Sequence, residues 1–301
     1  MPRLSLHGKP VHHTIPAEAG IQYRRIRTTL EGWAPSFDAV EEMIYYRHTN
    51  DRLTVAGVPF DPVTMKEAEA RAAEFLRDGR QHMVVTPNPE MAVLASRDPG
   101  FRKILETSDL ALADGSGLRL AAWIEGKSVP ATVTGAEFTL RLARLAEQKN
   151  YSVYLLGAGR GVAMEAAKNL FLNFPKLKIA GAEQGGSIRW IAGHWEEEAY
   201  LTDRIAATEP DILLVALGHG KQERWMRDHL KQLPSVKVAM GVGGTLDFLA
   251  GRVWRAPVIL RRLHLEWLWR LLIEPWRFFR IFEATFVFLW MVLKKRFKRV
   301  Q

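Results

Sequence analysis

The sequence predicts an α/β protein: a mostly parallel sheet with helices on both faces, followed by a C-terminal helical appendage. Three observations predict it. Short apolar runs alternate with stretches of helical period from Leu53 to Gly251. Several of those runs, HMVV, YSVYLLG and DILLVALG, are continuously apolar, as strands buried on both faces are. Beyond residue 251 the composition changes: the segment Arg252 to Gln301 holds 12 Lys or Arg against 3 Asp or Glu and 5 of the 10 tryptophans. All of the net charge of +9 therefore sits in that last segment, and the rest of the chain is neutral.

The elements follow in order. Residues 1–50 show no sustained period and read as a poorly structured leader; an alternative is that translation starts at Met43. The opening MPRLSLHGKPVHH lacks the apolar centre of a secretory signal. LTVAG is a strand, and Thr64 with Glu67 forms a capping box that opens a helix running to Arg80. HMVV (82–85) is a strand. Helices over 88–97 and 99–107 follow, then a strand at 109–113. A second Thr-x-x-Glu, Thr134 to Glu137, opens a helix to Gln148. Strands at 151–157, 177–181, 211–218 and 236–241 alternate with helices over 162–174 and 196–208 and from Lys221. The α/β core thus spans 51–251 and the basic appendage 252–301.

In open parallel sheets ligands bind beyond the carboxyl ends of the strands. Here those ends are rich in small and polar residues. TPNPEM places Thr86 and Asn88 two residues apart; Asn88 serves equally as a helix cap or a ligand contact. ADGSG sets Asp114 before Gly115, as a capping turn or as a base at the sheet edge. GAGRG offers Gly157 and Gly159, but Val162 replaces the last glycine of a dinucleotide fingerprint. ALGHGKQERW brings Lys221, Gln222 and Glu223 to a helix start, where they are also ordinary first-turn residues. In GVGGTLDFLAG, Gly243 and Gly244 permit close backbone approach, and Asp247 has the chemistry to accept hydrogen bonds from ribose hydroxyls.

Several classes are disfavoured. There is no cysteine, which excludes disulfides, thiolate metal sites and a cysteine nucleophile and fits a reducing compartment. Without an Asp-x-Asp pair, a P-loop or a zinc-type His cluster, the sequence offers no obvious metal site, and no cofactor is expected.

TPNPEM, ADGSG, VTG, YLLGAG, LLVALGHGKQE, GVGGTLDFLAG, RAP, LEWLWRL and EPWRFFR occur in this order. In them the chain resembles the WecG/TagA/CpsF glycosyltransferases from about Leu53 to Arg280. The resemblance implies a Rossmann-like core and a metal-independent, inverting transfer. The sugar, N-acetylmannosamine or a relative, passes from a UDP donor to a polyprenyl-diphosphate-linked N-acetylglucosamine at the inner face of the cell membrane. It also implies that Asp114 is the catalytic aspartate, that Thr86, Asn88 and Gln222 line the pocket, and that Arg270, Arg277 and Arg280 act from the appendage. Two departures stand out: Gly220 replaces the usual proline before KQE, and Gly185-Gly186-Ser187 replaces the usual Gly-Tyr-Phe.

In the appendage, Pro275 is expected to break the helix begun before it. The uncharged run Ala284 to Leu293 is only ten residues long, against roughly 20 for a membrane span. An interfacial helix with a basic end attracted to anionic lipid is the expectation, beside a core helix with a solvated end. Loss of the tail's apolar face into a homo-oligomer is a further expectation. Two other classes remain open: a nucleotide-binding module whose tail grips nucleic acid, and an NAD-dependent oxidoreductase built on GAGRG. Charge confined to a strongly apolar tail weighs against nucleic acid.

Overall fold

The computed structural model describes residues 52–129, 133–191, 193–198, 200–254, 256–257, 260, 266–273, 275 and 282–300. The leader with Met43, and Arg277 and Arg280, lie outside the described residues.

LTVAG proves to be half of a hairpin. Strand β1 (Leu53–Val55) pairs antiparallel with β2 (Val58–Phe60). Ala56 and Gly57 join them at φ 51° and 84°, the pair of positive angles that a tight hairpin requires. Helix α1 (Met65–Phe75) opens on the expected capping box: the Thr64 hydroxyl accepts from the Glu67 amide at 3.4 Å, and the Glu67 carboxylate accepts from the Thr64 amide at 2.7 Å. It stops five residues short of the expected Arg80. Gly79 turns at φ 75°, and the Asp78 carboxylate accepts from the Arg80 amide at 2.9 Å, so the chain bends into β3 (His82–Val85) instead of continuing as helix.

Helices α2 (Pro89–Arg97) and α3 (Pro99–Thr107) share one design: proline at the first helical position after a capping Asn88 or Asp98. Strand β4 (Leu110–Ala111) precedes α4 (Ser116–Ile124), and Thr134 caps α5 (Gly135–Lys149). Then come β5 (Ser152–Gly157), α6 (Val162–Asn173) and β6 (Lys178–Glu183).

The expected helix over 196–208 is mostly absent. In its place β7 (Arg189–Ile191) and β8 (His194–Glu196) form a second antiparallel hairpin, and α7 covers only Leu201–Ala207. The cause is tertiary. The acidic run after Trp195 is recruited by the later helix Lys221–His229, where Glu197 accepts from the Trp225 indole at 2.7 Å and lies 3.1 Å from His229 Nε2. The Trp195 indole donates to Asp228 at 2.9 Å. Strand β9 (Ile212–Ala216), α8 (Lys221–His229), β10 (Val238–Gly241) and α9 (Thr245–Leu249) complete the core. Helix α10 (Glu266–Ile273) ends two residues before Pro275, as a proline break demands, and α11 (Phe288–Val300) follows.

Six strands form one sheet in the order β4-β3-β10-β9-β5-β6, and every pairing is parallel. Alternate strand residues serve two cores. Val85, Leu156, Leu213, Val215 and Ala239 join a cluster with Phe101, Trp225 and, from the tail, Phe288 and Val292. The intervening residues face the other layer, where the Thr139 hydroxyl of α5 meets Met240 Sδ at 4.0 Å. At the amino edge, Asp211 ties three strands: it accepts from the Ser152 amide at 2.8 Å and hydroxyl at 3.0 Å and from Lys237 at 2.8 Å. Burial works to raise its pKa, but these donors outweigh it and hold the carboxyl below its ordinary range. That edge is therefore locked, and the opposite, carboxyl edge is where the loops open.

Candidate active site

Two features lie side by side at the carboxyl edge. The first grows from neighbouring strands β3 and β4. Their ladder continues past both ends, with the Asp114 amide donating to the Pro87 carbonyl at 2.9 Å. Thr86, buried at the end of β3, donates its hydroxyl across to the Gly241 carbonyl at 3.4 Å. The segment entering α5 closes over them, since the Val133 amide donates to the Ala113 carbonyl at 3.2 Å. Gly135, the first residue of α5, fits tightly there. A Cβ on it would stand 3.3 Å from Thr86 Cγ2 and 3.7 Å from Asp114 Oδ2. Hydroxyl, carboxylate and helix start thus converge from three separate stretches of chain.

The second feature is a cavity of about 600 Å³ beyond the ends of β5, β9 and β10. Its floor is backbone: Ala158, Gly218, Gly243 and Gly244. Asp247 from α9 stands on one side, and Lys221 and His219 on another. The outer wall is the loop Gly186 to Arg189 leading into β7. Lys221 is held by donating to the Ile188 carbonyl at 2.9 Å, and burial alone pulls its pKa below the usual lysine value. An ammonium partly withdrawn from water and lining a cavity suits an anionic ligand. His219 pairs with Glu90 of α2 at 2.6 Å, which bridges the cavity rim to the helix that follows Thr86. Among the described residues no three His, Asp or Glu side chains converge as metal ligands.

Other expected residues have different positions. Asn88 caps α2, its Oδ1 accepting from the Met91 amide at 3.0 Å. Gln222 and Glu223 are fully buried beneath the cavity rather than lining it. Gln222 Oε1 accepts from the Gly243 amide at 3.0 Å while its Nε2 donates to Glu223 at 2.8 Å, so the pair shapes the glycine loop from below. Burial raises the pKa of Glu223, against the hydrogen bonds it receives from Gln222 and Gly220. Gly157 is needed for strand packing, because a Cβ would come within 2.6 Å of the Ala216 carbonyl oxygen. Gly159 makes no such close approach. Gly115 starts α4 at φ 86°. Arg270 lies on α10.

The geometry also accounts for Gly220. Its φ is 76°, its amide donates to Glu223 at 2.7 Å, and a Cβ would meet Leu94 Cδ2 at 2.6 Å. Proline fails on all three counts, since its ring fixes φ near −65° and it has no N–H. Gly220→Pro is expected to destabilise the fold by about 3 kcal/mol or more, read from denaturant unfolding.

Sequence reasoning reaches Gly135 only through the VTG motif and a capping box, with no role assigned to it, and marks the Gly186 to Arg189 wall only by the departure at Gly185-Gly186-Ser187.

A parallel α/β sheet with a ligand-sized cavity and an acid–hydroxyl pair at its carboxyl edge defines an open-sheet α/β enzyme. The profile of the glycosyl transferase WecG/TagA/CpsF family matches residues 53–301, and the chain belongs to that family. Similar proteins include the N-acetylglucosaminyldiphosphoundecaprenol N-acetyl-beta-D-mannosaminyltransferases of Bacillus spizizenii strain W23 and Staphylococcus aureus strain MRSA252. The first is 32% identical over 69% of this chain and 77% of its own length. The second is 29% identical over 84% of this chain and 96% of its own. The fold expected from the sequence, a parallel sheet between helices, is the one observed, and the glycosyltransferase class expected from the motifs is the family found.

Proposed function

We propose that the protein transfers N-acetylmannosamine, or a closely related sugar, from a UDP donor to a polyprenyl-diphosphate-linked N-acetylglucosamine, with inversion and without a metal ion. What carries the reading is the meeting of Asp114, Thr86 and Gly135 beside a cavity bounded by Lys221 and Asp247. The names of the relatives support the choice of sugar and acceptor.

In this reading the cavity holds UDP, with the ribose hydroxyls toward Asp247 and the diphosphate toward Lys221. The acceptor hydroxyl reaches Asp114, which takes its proton as the oxygen attacks the anomeric carbon. The bond from that carbon to the β-phosphate oxygen breaks on the opposite side, and UDP leaves with the electron pair. Negative charge grows on the diphosphate, where cationic side chains stabilise it. Lys221 supplies one; Arg270, Arg277 and Arg280 are the appendage's candidates. Gln222 and Glu223 act indirectly by holding the Gly243 loop, and Asn88 by fixing α2 next to Thr86. The tail's apolar and basic residues seat the protein peripherally on the anionic inner face of the cell membrane. Among the described residues no helix is long and apolar enough to cross a membrane.

The test is a UDP-release screen of UDP-sugars, with and without a chelator, against a short-chain prenyl-diphosphate-N-acetylglucosamine. Release with UDP-N-acetylmannosamine that survives chelation is the expected result. Absence of release with every donor would overturn the transferase assignment, and release only with added metal would overturn the metal-independent mechanism.

A further inference from the structure

Helix α4 is preceded by its N-cap Gly115, which directly follows Asp114. Its inner face, Leu118, Ala121 and Ala122, is buried in the core. Its outer face exposes Arg119, Leu120 and Trp123, with Leu120 48% and Trp123 75% accessible. Residues three apart on a helix share a face, so the leucine and the tryptophan form one apolar spot with an arginine at its edge. The carboxyl end of α4 is joined to α11, where Arg296 donates to the Ile124 carbonyl at 2.6 Å. Helix α11 buries Phe288 and Val292 but leaves Trp290 69% exposed, with Phe286 62% exposed just before it and Lys294 exposed beyond. Two joined helices thus each combine outward aromatic or aliphatic side chains with cations. That combination matches an anionic bilayer, in which apolar side chains enter the acyl boundary and cations meet the phosphates.

We propose that α4 is itself a membrane-contacting helix, which docks Leu120 and Trp123 into an anionic bilayer and so sets the height of Asp114 above the lipid headgroups. At about 1.5 Å per residue, Asp114 stands roughly 10 to 15 Å along the axis from Trp123. A base tied to the bilayer by one short rigid helix is held level with a diphosphate at the membrane surface. Leu120 and Trp123 are then positioning residues. The proposal rests on the lipid-linked acceptor assigned above.

The experiment compares the full chain with its Leu120→Gln/Trp123→Gln variant. Co-sedimentation is measured with phosphatidylcholine vesicles containing phosphatidylglycerol, and transfer with a water-soluble short-chain acceptor and with a long-chain acceptor embedded in those vesicles. Both positions are exposed, so the thermal midpoint should not move. The variant is expected to bind vesicles about tenfold more weakly. It should keep wild-type turnover on the soluble acceptor and lose it on the embedded one, and Trp123→Leu in the wild-type background should retain most of the binding. Unchanged vesicle affinity in the double variant overturns the proposal. So does a wild-type oligomer that the double variant converts to monomer without loss of vesicle binding, which would assign the face to a second copy of the chain. If the transferase assignment is wrong, neither protein transfers sugar to either acceptor, while the vesicle comparison still decides the role of α4.

Discussion

Asp114→Asn is expected to lower kcat for sugar transfer by about a thousandfold while leaving UDP affinity within a few-fold of wild type. The substitution keeps the shape of the side chain and removes only its capacity to take a proton, and general-base contributions of this kind are typically worth about 10²- to 10⁴-fold. The local frame supports a clean result. Asp114 is placed by its own backbone, through the bond to the Pro87 carbonyl, and by the fit against Gly135 and Thr86. The cavity at the ends of β5, β9 and β10 has no lining atom from Asp114. Single-turnover kinetics with a UDP titration of the same preparation measures both quantities. A variant that turns over within a few-fold of wild type would remove Asp114 as the base; lost UDP binding would place it in the donor pocket instead.

The second large effect is on donor binding. Lys221→Met should weaken UDP binding by roughly 2 kcal/mol, about thirtyfold in Kd, the scale of one charge-assisted hydrogen bond. The pH dependence provides a sign to check. Burial lowers the pKa of Lys221 in the free protein, and a bound diphosphate favours the ammonium. UDP affinity should be flat while the free protein is protonated at Lys221, fall as pH rises past that lowered value, and level off above the pKa in the complex. The methionine variant should lack this phase. Isothermal titration across the pH range measures it, and a variant with unchanged affinity and an unchanged pH profile would exclude Lys221 from diphosphate binding. Because Lys221 also holds the Ile188 carbonyl, the thermal midpoint of the variant separates lost charge from a loosened wall.

What can be read in the sequence follows from the range of the interactions involved. Thr86 and Asp114 are visible because each directly ends a continuous apolar run, and in a parallel sheet such ends share one edge. That β3 and β4 are neighbours, and that Gly135 closes over them, is set by pairing between stretches more than twenty residues apart, which no local pattern encodes. Gln222 and Glu223 show the opposite limit. They sit where ligand contacts are expected, yet their side chains turn inward to satisfy the amides of Gly243 and Gly220. The hairpin is missed because WEEE has the composition of a helix start, and only the indoles of Trp195 and Trp225, with their carboxylate partners, draw it into another shape.

That hairpin has a consequence for how the protein can change. Among the described residues, strands β7 and β8 pair only with each other, apart from the six-stranded sheet. Their anchors are side chains on α8: Trp225 and His229 grip Glu197, and Asp228 grips Trp195. The outer boundary of the cavity is therefore built apart from the strand ladder, although buried Ile188 seats it on the core. Its exposed residues Ser187 and Arg189 can vary while Ile188 between them keeps its place in the core and its carbonyl keeps Lys221. Selection on what the cavity accepts thus has exposed positions to act on that leave the ladder and Asp114 in place.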